Sequence, residues 1–360
     1  MTVNPTTAPR EVDEAGRTSM RAIEVRGERQ LAIIETERPP APGPGEVQVR
    51  IGAVALNHID VWGWRGMAFA RRRLPLIAGA EAAGEIVKVG PAVEQLRPGD
   101  IVALYGAHTC GICPACREGR DNFCTAQDNI YGFHIDGFAR ELMNIPARLA
   151  VRAPYGVDVT GAALAAITFG TPEHMLFDNA RLREGETVLV HAGGSGIGSA
   201  AIQLAKAAGA TVITTVGSDE KAAKAKALGA DHVINYREER FERRVRQITG
   251  RRGVEVVFEH VGSDTWEGSM LSMKRGGRLV TCGSTTGISA KINLFLLFQQ
   301  QLRLIGSFGC TMANMRTVMS KMAERQVRPV IDTVIPIEQI ETGLQRLEGR
   351  QVFGKIIVTL

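Results

Sequence analysis

The sequence predicts an α/β protein in two parts: an irregular, largely antiparallel β domain and a doubly wound domain on a parallel sheet. Three observations carry this. Residues 20 to about 155 read as short β runs broken by Gly and Pro, the punctuation of hairpins and meanders. From about 160 to 309, apolar strands alternate with helical stretches, the pattern of a parallel sheet covered on both faces. A chain of 360 residues also has room for roughly two domains of ~100–200 residues each.

The first nineteen residues, "MTVNPTTAPREVDEAGRTS", are polar throughout. They read as a disordered extension without a secretory signal, which places the protein in the cytoplasm. Met20 opens a strand, "AIEV", and "PPAPGPGE" at 39–46 is a turn-rich connector into "EVQVRIGAVAL". "AGEIVKVG" and "DIVALYG" follow as further strands. The rhythm then changes. "TVLVHAG" is a strand and "GIGSAAIQLAKAAG" a helix, with Ile197, Ala201, Leu204 and Ala208 on one face. "TVITTVG", "HVINY", "VEVVFEH" and "GRLVTCG" continue as strands with helical stretches between. After about 310, a helix leads through "PVIDTVIP" and another helix to the closing strand "GKIIVTL", which returns to the first part. The expected boundaries are 20–168 with 310–360 for one domain and 169–309 for the other.

Composition narrows the partners. The net charge is +5, but the basic residues are scattered. "ARRR" at 70–73 and "ERRVRQ" at 242–247 are short enough to be solvated faces, so no nucleic-acid partner is expected. No stretch approaches the ~20 apolar residues that span a bilayer. "INLFLLFQQQLRLIG" at 292–306 is apolar enough for a subunit contact, or else is a buried helix and strand.

"HAGGSGIGS" at 191–199 lies between a predicted strand and a predicted helix. In that context Gly193 permits a tight turn, small Ser195 admits a pyrophosphate, and Gly198 lets the helix pack on the strand. Gly194, Gly196 and Ile197 complete the loop, whose helix N-terminus aims free N–H groups at phosphates. A glycine-rich turn without ligand is the alternative. An NAD site normally carries an acid at the end of the next strand; here Val216 and Gly217 stand there. Ser218 and Lys221 could instead hold a 2′-phosphate, which favours NADPH over NADH. Asp219 and Glu220 suit the first turn of a helix for its dipole alone.

"CGICPACREGRDNFC" at 110–124 holds four of the six cysteines. Cys110, Cys113, Cys116 and Cys124 can present four thiolates to one structural zinc about residues 106–126. Without a signal peptide, metal binding is favoured over disulfides; an iron–sulfur cluster and a redox thiol pair remain alternatives. Four sulfurs would leave no open position for substrate. Cys282 and Cys310 have no partner spacing, and Cys282 reads as a small buried residue.

Seven landmarks in order, "AGAEAAGEIVKVG", "PGDIVALYG", "CGICPACREGRDNFC", "DGFAREL", "HAGGSGIGSAAIQLAKAAGATV", "GGRLVTCG" and "FGKIIV", resemble the medium-chain dehydrogenase/reductase superfamily over nearly all of residues 20–360. The resemblance implies a GroES-like catalytic domain and a Rossmann domain. Zinc alcohol dehydrogenases of that superfamily hold a second, catalytic zinc. At the matching places this chain has Asn57, Ala80 and a residue near Ile167, with Glu81 retained. "NHIDVW" is similar instead to zinc-independent quinone oxidoreductases and enoyl reductases, most of which lack the cysteine lobe. The implied activity is hydride delivery from NADPH to an activated C=C (enoyl thioester or enone) or a quinone. An alcohol dehydrogenase with an atypical metal site, and a non-catalytic NADPH-binding protein, are the alternatives.

Asn57 is the first candidate to hold substrate or nicotinamide ribose, or else a turn residue. His58 and Tyr131 are candidate proton donors, each with a packing role as alternative, and solvent is a third source. Asp60 reads as an anchor. The resemblance puts Thr171, Ser307, Phe308 and Gly309 beside the nicotinamide and Lys355 near the cofactor. It puts Tyr236 against the adenine side, and Val261 and Gly283 near the ribose. His260 replaces a usually small residue. A small-molecule substrate and a homodimer or homotetramer complete the expectation.

Overall fold

The computed structural model describes residues 18–66, 72–126 and 129–360. The extension expected to be disordered lies outside the described residues up to Arg17, while Ser19 already opens a strand. Part of "ARRR" is outside them too. Among the described residues, no helix is long and apolar enough to cross a membrane.

Among the described residues, eight strands precede the change of rhythm: β1 (Ser19–Gly27), β2 (Gln30–Glu37), β3 (Glu46–Ala55), β4 (Leu76–Ile77), β5 (Ala82–Val89), β6 (Ile101–Leu104), β7 (Leu142–Pro146) and β8 (Ala150–Arg152). β1, β2 and β4 make a small antiparallel sheet. β3 pairs with β5 along most of its length, and Gly84 makes that approach possible, because a Cβ there would strike the Arg50 carbonyl.

The alternating region gives β9 (Thr187–Val190), β10 (Thr211–Val216), β11 (His232–Asn235), β12 (Val254–Glu259), β13 (Met273–Thr281) and β14 (Arg303–Gly306). They form one parallel sheet in the order β11-β10-β9-β12-β13-β14. The chain reverses direction across the sheet between β9 and β12, which is where such sheets hold ligands. Val188 and Val190 pack on one face and Leu189 on the other, all fully buried. That period of two explains why "TVLV" is apolar without interruption.

The last strands, β15 (Ile331–Pro336) and β16 (Lys355–Thr359), return to the first part of the chain. β16 pairs antiparallel with the end of β3 through Ile357–Ala55 and Val358–Val54. β15, β16, β3, β5, β6 and β8 run side by side, with β7 paired to β3. This return brings Lys355 beside Asn57, 298 positions away in sequence.

The helix Gly196–Ala207 is buried more widely than its expected face: Ala200, Ala201, Ile202, Gln203, Leu204 and Ala205 are all buried, while Ile197 and Ala208 are partly exposed. It is covered by residues of Gly170–Glu173 as well as by the sheet. The segment 292–306 is not a buried helix. Leu294, Phe295 and Phe298 of the helix Leu294–Gln299 are 62–68% exposed, beside the open edge of β14.

Candidate active site and metal lobe

A cleft of about 900 Å³ runs from the C-terminal ends of β9, β10 and β12 to the residues after β3. Gly194, Ser195, Gly196 and Ile197 line it. Ser195 caps the helix Gly196–Ala207 by accepting from Gly198 N at 3.0 Å. The left-handed residue of the turn is Ala192, with φ 46°. Gly193 and Gly198 stand behind the cleft wall. A Cβ on Gly193 would strike the Thr214 hydroxyl, and one on Gly198 the Ala192 carbonyl. The missing Cβ atoms let the turn pack closely on the neighbouring strand and on its own helix, as a pyrophosphate-binding turn requires.

Farther along, Val216, Gly217, Lys221, Tyr236 and Arg237 line the same cleft. A Cβ on Gly217 would lie 2.6 Å from the Tyr236 hydroxyl, so any side chain there would displace the half-exposed Tyr236 ring. Ser218 is not a cleft residue; its hydroxyl caps the helix Asp219–Ala227 by accepting from Lys221 N at 3.3 Å. Lys221 Nζ donates to the carbonyls of Arg350 (2.7 Å) and Val352 (3.0 Å), which leaves one donor. Arg237 was missed by the sequence reading, since nothing in "NYREE" separates it from a solvated charge.

At the opposite end, the chain returning along β16 meets the residues after β3. Lys355 Nζ donates to Leu56 O (2.5 Å) and Asn57 Oδ1 (2.7 Å) and stands 3.4 Å from the Glu81 carboxylate. Asn57 Nδ2 donates to Ala55 O (2.9 Å) and Glu81 Oε2 (3.0 Å). Glu81 is fully buried and also accepts from Ile167 N (2.6 Å), Thr168 N (2.7 Å) and the Thr168 hydroxyl (2.7 Å). The Lys355 stem lies over Gly196, where a Cβ would collide with it. Lys355 therefore touches the cofactor loop with its stem, while its charge is spent on the residues around Asn57. Burial lowers its pKa, opposed by Glu81 and Asp60.

Asp60 anchors, as expected: Oδ2 accepts from Asn57 N (2.8 Å) and Oδ1 from Ala80 N (3.2 Å), and burial pushes its carboxyl up to about 6. His58 does line the cleft. Burial, followed by the nearness of His260 and Lys355, pushes its imidazole down to about 4. Near neutral pH it is therefore uncharged, with one ring N–H and one acceptor nitrogen, and not the charged acid that a proton donor would be. Tyr131 is a clear correction. Its neighbours Gly106, Ala107 and Ile130 line the cleft, but Tyr131 itself packs on Phe138 behind the wall. Its hydroxyl pairs with His108 Nδ1 at 2.9 Å, and burial pushes its pKa up to about 12.

Thr171, Val261, Gly283, Phe308 and Gly309 line the cleft. Ser307 does not: its hydroxyl accepts from Asn179 Nδ2 at 3.0 Å. His260 has a structural explanation, since its Nε2–H donates to the His191 carbonyl (2.9 Å) and ties the start of the glycine turn to the end of β12. Beside it, Glu259 accepts from Val261 N (2.6 Å), Gly262 N (3.1 Å) and the hydroxyls of Thr265 (2.8 Å) and Ser269 (2.9 Å), so the turn after β12 is pinned. Tyr105, also missed, lines the cleft and donates to Cys310 O at 2.6 Å. Cys282 reaches the cleft wall, but burial pushes its thiol up to about 12, which suits packing and not a nucleophile.

Cys110, Cys113, Cys116 and Cys124 converge, with sulfurs within 4.8 Å of one another. Cys110 and Cys124 sulfurs are 3.6 Å apart, close to the roughly 3.8 Å that ~2.3 Å zinc–sulfur bonds impose on a tetrahedron. Backbone N–H groups of Cys110, Cys113 and Ala126 point at the sulfurs, as thiolates favour. The donor set fits zinc, and all four corners would be sulfur. Among the described residues no other such group of three or more His, Cys, Asp or Glu donors occurs.

Two family models match the chain: one described as zinc-binding dehydrogenase over residues 196–324, and one as alcohol dehydrogenase GroES-like domain over 43–155. Acryloyl-coenzyme A reductase of Metallosphaera sedula is 30% identical over 344 residues, covering 94% of this chain and 100% of that protein. Quinone oxidoreductase of Salmonella typhimurium is 35% identical over 262 residues, covering 73% of this chain and 72% of that one. The crystal structure of an NAD-dependent alcohol dehydrogenase matches with a TM-score of 0.90 at 37% identity, covering 95% of this chain and 100% of the other.

Proposed function

Since the chain belongs to the medium-chain dehydrogenase/reductase superfamily of oxidoreductases, we propose that it is an NADPH-dependent reductase of an activated C=C, first an enoyl thioester or enone and second a quinone, working without a catalytic zinc. The observation that carries this reading is the chemistry where a catalytic zinc's ligands would stand. Asn57 offers an amide, Ala80 a methyl group, and Ile167 a backbone N–H already given to Glu81. The local positive charge there is the Lys355 ammonium, 2.7 Å from Asn57 Oδ1. A catalytic zinc needs about three protein ligands, and this donor set does not supply them.

Alcohol oxidation relies on a Lewis acid to lower the hydroxyl pKa. Reduction of a conjugated C=C does not, because the thioester carbonyl spreads the developing charge. When bound, NADPH would supply hydride chemistry at the β-carbon, with the π electrons moving to the carbonyl oxygen. A proton then completes the α-carbon. Both Asn57 Nδ2 hydrogens are committed, so Asn57 is an acceptor toward the cleft and suits a ribose hydroxyl rather than an enolate oxygen. Thr171 is the hydroxyl assigned to the carbonyl oxygen. With His58 neutral, water is the proton source. For the cofactor's 2′-phosphate, Lys221, Tyr236 and Arg237 are the matching groups, with the missing acid at Gly217 in support.

The 37% identity to an NAD-dependent alcohol dehydrogenase favours the second reading, alcohol oxidation at an atypical metal site. Initial rates of NADPH oxidation across enoyl-CoAs, enones and quinones, beside alcohol oxidation with NAD⁺ and NADP⁺, separate the two. Turnover of an enoyl thioester with NADPH supports the proposal, and turnover confined to alcohols refutes it. Tight NADPH binding with no turnover in either direction would make this a binding protein.

A further inference from the structure

The cysteine lobe does more than close a loop. Between Cys116 and Cys124 lies the short turn Asp121–Phe123. Asp121 and Asn122 point away from the sulfurs toward the segment that re-enters the first part of the chain after β14. Asp121 Oδ2 accepts from Met312 N at 3.1 Å, at the first residue of the helix Met312–Ala323. Asn122 Nδ2 donates to Phe308 O (3.2 Å) and to His174 Nε2 (2.9 Å). His174 is oriented from its other side, giving Nδ1–H to Asp178 Oδ2 at 2.7 Å, and the same carboxylate oxygen takes Asn314 Nδ2 at 2.9 Å. Asp121, Asn122, His174 and Asn314 are each buried, between 4% and 7% exposed.

These bonds hold both ends of residues 308–314. Inside that segment Phe308 and Gly309 line the cleft, with Gly309 in a left-handed conformation at φ 56°. Asn122 lines the cleft as well. The wall segment starts with a half-exposed Phe (54%) and a left-handed Gly that have little packing of their own, while Cys310 and Thr311 behind them are buried. Tyr105 holds the Cys310 carbonyl from one side, while Asp121 and Asn122, on the turn between Cys116 and Cys124, hold Met312 and Phe308 from the other.

We propose that Asp121 and Asn122 are positioning residues through which the metal lobe sets the cleft wall at Phe308–Gly309, so that metal occupancy is coupled to the shape of the active site. The coupling is a property of the chain and holds whichever substrate the cleft takes. It differs from a general stabilising role because the effect is local: residues 308–314 respond, whereas the glycine turn at 192–198 is held by other bonds.

Hydrogen exchange of the full-length zinc protein, resolved by mass spectrometry, tests this with Asp121→Ala and Asn122→Ala, each checked for retained zinc. Amides of 308–314 should exchange about tenfold faster in both variants, the factor carried by loss of one ordinary capping bond, with 192–198 unchanged. Asp121→Asn keeps an oxygen for Met312 N and should restore slow exchange. Stripping the metal from the wild-type protein with a thiol-directed mercurial should reproduce the pattern at 308–314. Unchanged exchange at 308–314 in both alanine variants overturns the proposal, as does acceleration spread evenly over 192–198 and 308–314. If the stripped protein unfolds, the zinc-loaded variants alone decide the matter.

Discussion

Replacing Lys355 by Met removes the one ammonium that faces Glu81 while keeping the stem that packs on Gly196. Both partners are at most 5% exposed, and stranding one member of a buried pair costs about 3–5 kcal/mol. Glu81 keeps donors from Ile167, Thr168 and Asn57, so the lower end of that range applies. An unfolding entropy of about 2.1 cal/mol/K per residue over 360 residues makes about 3 kcal/mol a fall in Tm of about 4 °C. Glu81→Gln should cost a similar amount, since it strands the ammonium. The double variant should recover about 2 kcal/mol of the summed loss, because neither charge is then alone. The Lys355→Met protein should bind NADPH within about threefold of wild type and lose at least about tenfold in kcat, as Asn57 loses the bond that orients its oxygen. Thermal unfolding of the four proteins and fluorescence titration of NADPH read both effects. Additive losses in the double variant, or NADPH binding weakened more than about tenfold with kcat intact, would show that Lys355 serves the pyrophosphate instead.

Three further outcomes follow from the same geometry. Lys221→Ala and Arg237→Ala should each weaken NADPH binding by about tenfold, the low end for a charge-assisted bond, and NADH binding by less than about twofold; equal losses for both cofactors would remove the 2′-phosphate assignment. His58 is held neutral, at about 4 against an ordinary 6.5, so the unfolded chain binds its proton first and stability is lost as pH falls from 6.5 toward 4. Asp60 runs oppositely, its pKa raised from 3.8 to about 6, so stability is gained as pH falls through that window and lost as pH rises through it. His58→Gln should thus be more stable than wild type by about 2 kcal/mol at pH ~4.5 and equal to it at pH ~7.5; urea unfolding that shows no gain at the lower pH would contradict the neutral imidazole. Phe295→Asp on the exposed helix Leu294–Gln299 should convert a homodimer or homotetramer into smaller species in light scattering, and an unchanged mass would place any subunit contact elsewhere.

What was legible in the sequence was local. The strand–turn–helix around "HAGGSGIGS" and the four-cysteine spacing each put their chemistry within a few residues, so their types and offsets were enough. Strand alternation revealed the parallel sheet because both faces of β9 and β12 are buried. Failures came where a long-range approach decides. Gly193 is needed where the Thr214 hydroxyl of the neighbouring strand approaches it, a contact that spacing within the turn does not reveal. Tyr131 sits next to cleft residues but is turned toward Phe138 and His108, and no spacing rule gives that orientation. Lys355 does line the cleft with its stem over Gly196, but no spacing rule reveals that its charge goes to Asn57 and Glu81. Asp121 and Asn122 carried no sequence signal at all, since their partners lie more than fifty positions away.

The central claim is that hydride chemistry here proceeds with one zinc, confined to the cysteine lobe. The most direct measurement is the zinc-to-chain ratio, by elemental mass spectrometry, of a preparation whose NADPH-dependent reduction of an enoyl thioester is measured in parallel. One zinc per chain is expected, removed only with thiol-directed reagents, with turnover unaffected by dialysis against a chelator that leaves that zinc in place. Two zincs per chain, with turnover lost as the second is withdrawn, would contradict it.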